Sequence, residues 1–180
     1  MGEIMAREEL RLTGSGGQGV ILASIILADI ALQAGNYVAQ SQAYGPEARG
    51  GVCKAEVVVS DTKIGFTKVM NPTFLLTLTQ ASLDSFSKNI DENCILLVDS
   101  SLSIPSNIKY KKLYQYPILD VAKTKVGKAF TANIVAVGLI SKLLNLASVD
   151  AVLETVKRYI PKGTEEINFK ALEEGFNLFN

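Results

Sequence analysis

The segment "RLTGSGGQGV", residues 11–20, decides how the beginning of this chain is interpreted. Gly14, Gly16 and Gly19 satisfy the pattern GxGxxG between a predicted first strand and a predicted helix over 18–34. Glycine permits positive φ and lets backbone N–H groups come close to a ligand, and a helix N-terminus favours negative charge. The turn therefore predicts a site for a phosphate or a carboxylate. Tight packing of the helix on the sheet is the alternative explanation.

A dinucleotide site would need an acidic residue at the end of the second strand, where it binds the ribose. In this chain residues 40–43 read "QSQA", and Glu47 is the next acid. The pattern GxxxxGK[ST] of ATP-binding P-loops is also absent from the sequence. A free-standing Rossmann-type oxidoreductase is therefore the weaker hypothesis.

A second glycine-rich segment, "YGPEARGG", spans residues 44–51. Pro46 fixes φ, while the glycines supply bends and steric room. Arg49 offers a planar fork for a carboxylate or a phosphate. Glu47 and Arg49 could equally pair with each other or with a neighbouring subunit, and a purely structural loop explains the composition as well.

The composition excludes several classes of function. The 180 residues contain 18 basic and 18 acidic side chains, so no overall charge favours nucleic acid or an anionic membrane. There is no histidine, which excludes Ser-His-Asp catalysis and histidine-ligated metals within the chain. The two cysteines, Cys53 and Cys94, lie far apart within β-like runs and are interpreted as buried thiols.

The same sequence predicts a cytoplasmic location. The first residues lack the apolar core of a secretory signal, and the most apolar run, "VILASIILADIALQAG", is too short to span a bilayer.

Alternating strands and helices predict one α/β domain over residues 1–180. We expect a three-layer fold with a mostly parallel twisted sheet, helices on both faces and an antiparallel edge hairpin. The hairpin is assigned to 52–60 and 63–69. The other strands are predicted at 7–14, 36–44, 74–79, 94–100 and 111–116, and the helices at 18–34, from about 80, 118–126 with 130–147, 150–160 and 164–178. Both glycine segments follow strands, at the sheet edge where such folds bind ligands.

Together the two glycine segments closely resemble the gamma subunit of the 2-oxoacid:ferredoxin (acceptor) oxidoreductases. The match joins "TGSGGQGV" to "SQAYGPEARGG" and continues through "NPTFLLTLTQASLDSF" and "TANIVAVGLISKLL". The 2-oxoglutarate and 2-ketoisovalerate members are the most similar, and the overall resemblance favours 2-oxoglutarate.

The resemblance implies a multisubunit enzyme that oxidatively decarboxylates a 2-oxoacid to an acyl-CoA and passes electrons to ferredoxin or a similar acceptor. Alpha, beta and delta-type partner subunits are expected to hold thiamine diphosphate, Mg and iron–sulfur clusters. This chain would hold no cofactor alone, and it would contribute assembly and a surface facing coenzyme A. A purely structural scaffold is the remaining alternative.

The family pattern also identifies candidate binding residues, all of them in the two glycine segments. They are Gly14, Ser15, Gly16, Gly17, Gln18, Gly19, Tyr44, Gly45, Glu47, Arg49 and Gly50. No catalytic residue and no metal ligand is predicted in this chain. The pattern does not distinguish contact with coenzyme A from contact with another subunit.

Overall fold

A computed structural model describes residues 7–43 and 51–179 of the chain. The strands are β1 Arg7–Ser15, β2 Tyr37–Ala43, β3 Val52–Ser60, β4 Phe74–Thr77, β5 Ile95–Asp99 and β6 Lys112–Tyr116. The helices are α1 Val20–Gln33, α2 Gln80–Phe86, α3 Ile118–Val121, α4 Ala132–Leu143, α5 Val149–Lys157 and α6 Glu165–Leu178. Short 3-10 turns follow α2 and precede α4, and a π-helical turn continues α3.

The six strands form one sheet in the order β2-β3-β1-β4-β5-β6. The pairs β1–β4, β4–β5 and β5–β6 are parallel. Strand β3 runs antiparallel to both of its neighbours, β1 and β2. The predicted α/β fold with a mostly parallel sheet and an antiparallel edge hairpin is confirmed.

The strand assigned at 52–60 is confirmed as β3, but the partner assigned to it at 63–69 is wrong. Strand β3 pairs with β2 rather than with 63–69, and residues 61–73 form an irregular loop. Because β1 and β2 already occupy both edges of β3, no ladder remains for a further strand. The loop is fastened to β1 by side chains: Arg7 Nη2 donates to the Phe66 carbonyl at 2.9 Å, and Arg11 Nη2 to the Val69 carbonyl at 3.1 Å.

Both faces of the sheet are covered, but unequally. Helices α1, α4, α5 and α6 lie on one face, over a core that includes Leu10, Leu12, Phe74, Leu76 and Leu97. The other face carries the short helix α2 and the segment that follows β5, over a smaller core of Leu75, Leu83, Cys94, Leu96 and Val98. Helices on both faces were therefore predicted correctly.

Helix α1 is apolar almost all round because the chain itself covers two of its sides. The sheet packs against one side, and α4 and α5 pack against another. An ion pair joins α1 to the residue that follows α5, with Arg158 Nη2 at 2.8 Å from Asp29 Oδ2. The Tyr159 hydroxyl donates to the same oxygen at 3.0 Å.

Within the described ranges, no helix combines the length and the apolarity that crossing a bilayer requires.

Helices α4 and α6 cross in close backbone contact at Gly138 and Gly175. A Cβ on Gly138 would clash with the Leu172 carbonyl oxygen, and one on Gly175 would clash with the Val135 carbonyl oxygen. Backbone atoms cannot move aside as a flexible side chain can. Glycine at these two positions therefore fixes the distance between the helices.

We expect Gly175→Ala to lower the free energy of unfolding by about 3 kcal/mol, the upper end of the usual cost of overpacking. Urea denaturation of the full chain measures this. Gly65→Ala is the control, because a Cβ at Gly65 meets nothing within 4 Å. Equal stability of the two variants would contradict the close crossing.

The ion pair on α1 predicts a loss of stability in acid. Burial alone raises the pKa of Asp29, but hydrogen bonds from Gln33 and Tyr159 and the charge of Arg158 outweigh it, so the pKa lies below its ordinary value of 3.8. The stabilisation is therefore present above pH 3.8 and is lost as the pH falls through the lower, folded-state pKa. We expect Asp29→Asn to cost about 0.5–1 kcal/mol at pH 7, the range of a partly exposed ion pair.

Urea titrations of the wild type and Asp29→Asn at pH 7 and at successively lower pH check this, with Asp61→Asn at an exposed position as the control. The difference should shrink in acid for Asp29 and stay near zero for Asp61. A constant difference for Asp29 would mean that its charge is not involved.

Candidate functional site

Gly51, the last residue of the second glycine-rich segment, contacts the first segment at the carboxyl end of β1. Strand β1 pairs with β3 in a register that sets Gly14 opposite Cys53 and Ser15 opposite Val52. Just beyond that ladder, the Gly16 N–H donates to the Gly51 carbonyl at 3.1 Å. The residue that ends the second segment is therefore hydrogen-bonded to the turn that forms the first.

Most of the second segment lies outside the described residues. Its predicted binding residues Tyr44, Gly45, Glu47, Arg49 and Gly50 belong to that part of the chain, and they stay predictions. Gly51 is described, with a φ of 84°. The candidate site is therefore built here from the first segment and from residues 51–53.

The turn is closed by its own glutamine. Gln18 Oε1 accepts a hydrogen bond from the Ser15 N–H at 2.7 Å, and the Gln18 N–H donates to the Ser15 carbonyl at 3.2 Å. Gln18 was predicted as a binding residue. Its side-chain oxygen already has a structural role in holding the turn, which the sequence pattern did not indicate.

The described fold gives a reason for glycine at three of the four glycine positions in the turn. A Cβ on Gly14 would lie 2.5 Å from Gln18 Oε1. Gly17 and Gly19 have φ angles of 87° and 71°, which side chains rarely adopt. Gly16 differs, because its φ is not positive and a Cβ there would meet nothing within 4 Å among the described residues.

The space beside Gly16 belongs to an open cavity of about 400 Å³. The lining is Ser15, Gly16, Gly17, Gly19, Val20, Ile21, Val52 and Cys53. Four of the predicted binding residues therefore line one cavity, whereas Gly14 and Gln18 do not line it, and Gln18 holds the turn through Ser15. Val52 and Cys53 were not predicted, because only the β1–β3 register brings them to the turn.

The cavity borders the N-terminus of α1. Gly19 is the N-cap, and no described side chain caps the helix or supplies an acidic group to its first turn. The first N–H groups of a helix have no partner within it, and they carry a partial positive charge. This end of the cavity therefore favours an anionic group.

The thiol of Cys53 at this cavity is not a reactive one. Burial raises the pKa of Cys53 and outweighs the hydrogen bond from the Lys54 backbone. Cys94 lies in the core under the other face of the sheet, where burial, together with the charge of Asp91, raises its pKa to about 12. Both cysteines are partly or fully buried thiols, in agreement with the sequence analysis.

A buried carboxylate at the same edge of the sheet has a structural role. Asp99, at the end of β5, is 2 % exposed. Its Oδ1 accepts from the Ser101 N–H at 3.0 Å, and its Oδ2 accepts from the Leu119 N–H at 2.8 Å. The carboxylate thereby joins the end of β5 to the beginning of α3 and is committed to backbone donors.

The topology also argues against a dinucleotide site. In a Rossmann fold the second strand lies directly beside the first, and its end reaches the ribose. Here β3 lies between β1 and β2, so the end of β2 is farther from the glycine turn by about 4.8 Å, one strand spacing.

In the described part of the chain, no group of three or more Cys, Asp or Glu side chains could hold a metal ion.

The domain is an α/β fold in which a glycine turn follows β1 and the antiparallel strand β3 lies beside β1. Comparison with known families shows which family has this fold and this turn. Residues 9–178 match the family of pyruvate ferredoxin/flavodoxin oxidoreductases, and the chain belongs to that family.

Similar proteins narrow the class to the gamma type. The chain is 38 % identical over 178 residues to the 2-oxoglutarate synthase subunit KorC of Methanocaldococcus jannaschii, covering 97 % of this chain and 95 % of the relative. The gamma subunit of a keto/oxoacid ferredoxin oxidoreductase from Geobacter sulfurreducens is also 38 % identical, with a TM-score of 0.85 and coverage of 96 % and 95 %. This chain is accordingly a gamma-type subunit of a 2-oxoacid:ferredoxin oxidoreductase.

A more distant structure shares the fold. It is the 2-oxoglutarate:ferredoxin oxidoreductase of Magnetococcus marinus with 2-oxoglutarate, coenzyme A and succinyl-CoA bound. It is 20 % identical, with a TM-score of 0.83, and covers 96 % of this chain and 31 % of that chain. The comparisons support the subunit hypothesis and give no support to a free-standing Rossmann enzyme.

The two thiols should differ in reactivity. In the folded chain at pH 7.5 we expect iodoacetamide to modify Cys53 slowly and to leave Cys94 unmodified, because the thiolate is the reactive form and Cys94 is fully buried. Peptide mass spectrometry over time measures both rates. In urea the rates should become similar, and modification of Cys94 as fast as Cys53 in the folded chain would contradict the assignment.

Proposed function

We propose that this subunit works in a complex that oxidatively decarboxylates 2-oxoglutarate, and that its glycine turn contributes to the binding of coenzyme A. The M. jannaschii relative, a 2-oxoglutarate synthase subunit aligned along nearly its whole length, supports the choice of substrate. The product would be succinyl-CoA, and the electrons would pass to ferredoxin or a similar acceptor.

The remaining machinery would lie in alpha, beta and delta-type partner subunits. Those subunits would hold thiamine diphosphate, Mg and the iron–sulfur clusters, in a cytoplasmic complex. The donor set of this chain supports the division, since it has only two cysteines and four are typical of an iron–sulfur cluster.

Gly16 carries the proposal for coenzyme A. Positive φ favours glycine at positions 17 and 19, and Gly14 leaves room for the end of the Gln18 side chain, but the described residues give no steric or backbone reason for glycine at position 16. A glycine that faces open space permits close approach by another molecule. Because Gly16 lines the cavity beside the free N-terminus of α1, the approaching group would be an anion, and the phosphates of coenzyme A fit this requirement.

The apolar part of the cavity fits the rest of the same ligand. Val20, Ile21 and Val52 lie beside the donors of the turn. Coenzyme A combines charged phosphates with a long pantetheine arm of mixed polarity. A cavity with anion-binding groups at one end and apolar side chains along one wall can bind both the phosphates and the pantetheine arm.

We expect Gly16→Ala to raise the KM for coenzyme A at least about tenfold in the intact complex with 2-oxoglutarate as substrate. A methyl group there fits the folded chain but fills the space into which the ligand would reach. Steady-state kinetics measure the change, and thermal unfolding should be nearly unchanged. Gly65→Ala, also at an open position, is the matched control.

The result separates the alternatives. A complex that assembles normally with Gly16→Ala and keeps its KM for coenzyme A would contradict the proposed contact. A variant that fails to assemble would favour a turn that touches another subunit. Activity with pyruvate but not with 2-oxoglutarate in the wild-type complex would contradict the proposed substrate and leave the test of the turn intact.

A further inference from the structure

A buried amide side chain lies against the glycine turn. Asn133 is the second residue of α4, and only 7 % of its surface is exposed. Its Nδ2 is 2.6 Å from the position that a Cβ on Gly19 would occupy, so the amide end of the side chain touches the N-cap of α1. Positive φ and this contact both require glycine at position 19.

The amide of Asn133 has no hydrogen-bond partner among the described residues. Asn168 is a useful comparison, because it is 6 % exposed and also lies on a helix. Its Nδ2 donates to the Thr164 carbonyl at 2.9 Å and to the Thr164 hydroxyl at 3.0 Å. Buried amides are normally paired in this way. Among the described residues, the fully buried side-chain atoms without a partner are Thr77 Oγ1 and Ser141 Oγ, so the unpaired amide of Asn133 keeps some access to solvent. The fold explains Asn168 but leaves Asn133 without a role.

The surroundings of Asn133 indicate what its partner would be. The amide lies beside the first turn of α1, a helix of 14 residues whose N-terminus has no described side-chain cap and no acidic residue in its first turn. Backbone donors and a side-chain amide are therefore found together at one point. Such a donor set suits the oxygen atoms of a phosphate or a diphosphate.

We propose that Asn133 is a ligand-binding residue that donates a hydrogen bond from its amide to a phosphate group held at the Ser15–Gly19 turn. The identification of that group with coenzyme A rests on the proposed function above. The site itself requires only a phosphate-bearing ligand. Because α4 lies more than a hundred residues beyond the turn, the contact also ties the position of α4 to ligand binding.

Calorimetric titration of the full chain with inorganic pyrophosphate, and separately with coenzyme A, tests the assignment. Asn133→Asp keeps the shape of the side chain but brings a negative charge to the ligand, and Asn133→Leu keeps the approximate volume but removes the donor. We expect both variants to weaken pyrophosphate binding at least about tenfold, with the larger effect for Asn133→Asp.

Thermal unfolding distinguishes a ligand-binding role from a structural one. Since the side chain of Asn133 forms no hydrogen bond with the described residues, Asn133→Leu should unfold at the same temperature as the wild type or higher. The matched control, Asn168→Ala, removes two hydrogen bonds, so it should lower the unfolding temperature and leave pyrophosphate affinity unchanged.

Three results would overturn the assignment: no binding of pyrophosphate by the wild type, unchanged binding by Asn133→Asp, or a loss of binding by Asn168→Ala as large as that of the Asn133 variants. Other results would bear on the proposed function and not on the site. If pyrophosphate binds through Asn133 but coenzyme A neither binds nor competes, the site stands and its ligand is a different phosphate compound. If coenzyme A binds, Gly16→Ala blocks it and Asn133→Asp does not, the proposed function stands without Asn133.

Discussion

The antiparallel pairing of β1 with β3 is the constraint on which the candidate site depends. It continues to Ser15 and Val52, and the hydrogen bond from Gly16 to Gly51 extends it into the turn. Without that ladder, Gly51 and residues 52–53 would not lie beside the glycine turn. With it, the start of β3 forms one wall of the cavity and the start of α1 forms another. The same insertion moves β2 away from the turn, so the strand that builds this site also removes the geometry of a dinucleotide site.

The sequence predicted the layers of the fold because each strong periodic segment carries its own signal. All six strands were predicted, a seventh predicted strand at 63–69 is absent, and the helices were predicted within a few residues. The hairpin was misassigned because alternation of apolar residues does not identify a partner strand. That choice depends on which edges remain open, and both edges of β3 are occupied. Likewise the glycine turn was predictable from local spacing, whereas Val52, Cys53 and Asn133 reach it only through tertiary contacts. Asn133 lies within the resembling segment "TANIVAVGLISKLL", but spacing alone assigns it no role.

Similar residues in the turn have different reasons to be there. Gly14 makes room for Gln18, and Gly17 and Gly19 supply backbone angles that other residues avoid. A glycine motif is therefore mostly a description of how a strand turns sharply into a helix. Among the described glycines of the turn, Gly16 is the one whose presence the turn does not explain, and the proposal for a ligand therefore rests on it. The same reasoning distinguishes Asn133 from Asn168, because the unpaired amide is the informative one.

The features that make this surface suitable for an anion also explain why the chain works as a subunit. The described cavity has mostly apolar walls beside the backbone N–H groups at the start of α1, and the amide of Asn133 contacts that helix start at Gly19. It offers no imidazole, since the chain has none, and its nearby thiol is held protonated by burial. Asp99, the buried carboxylate at the same sheet edge, is fully occupied by backbone and side-chain donors. These residues suit a binding role within the kind of multisubunit oxidoreductase to which the similar proteins belong.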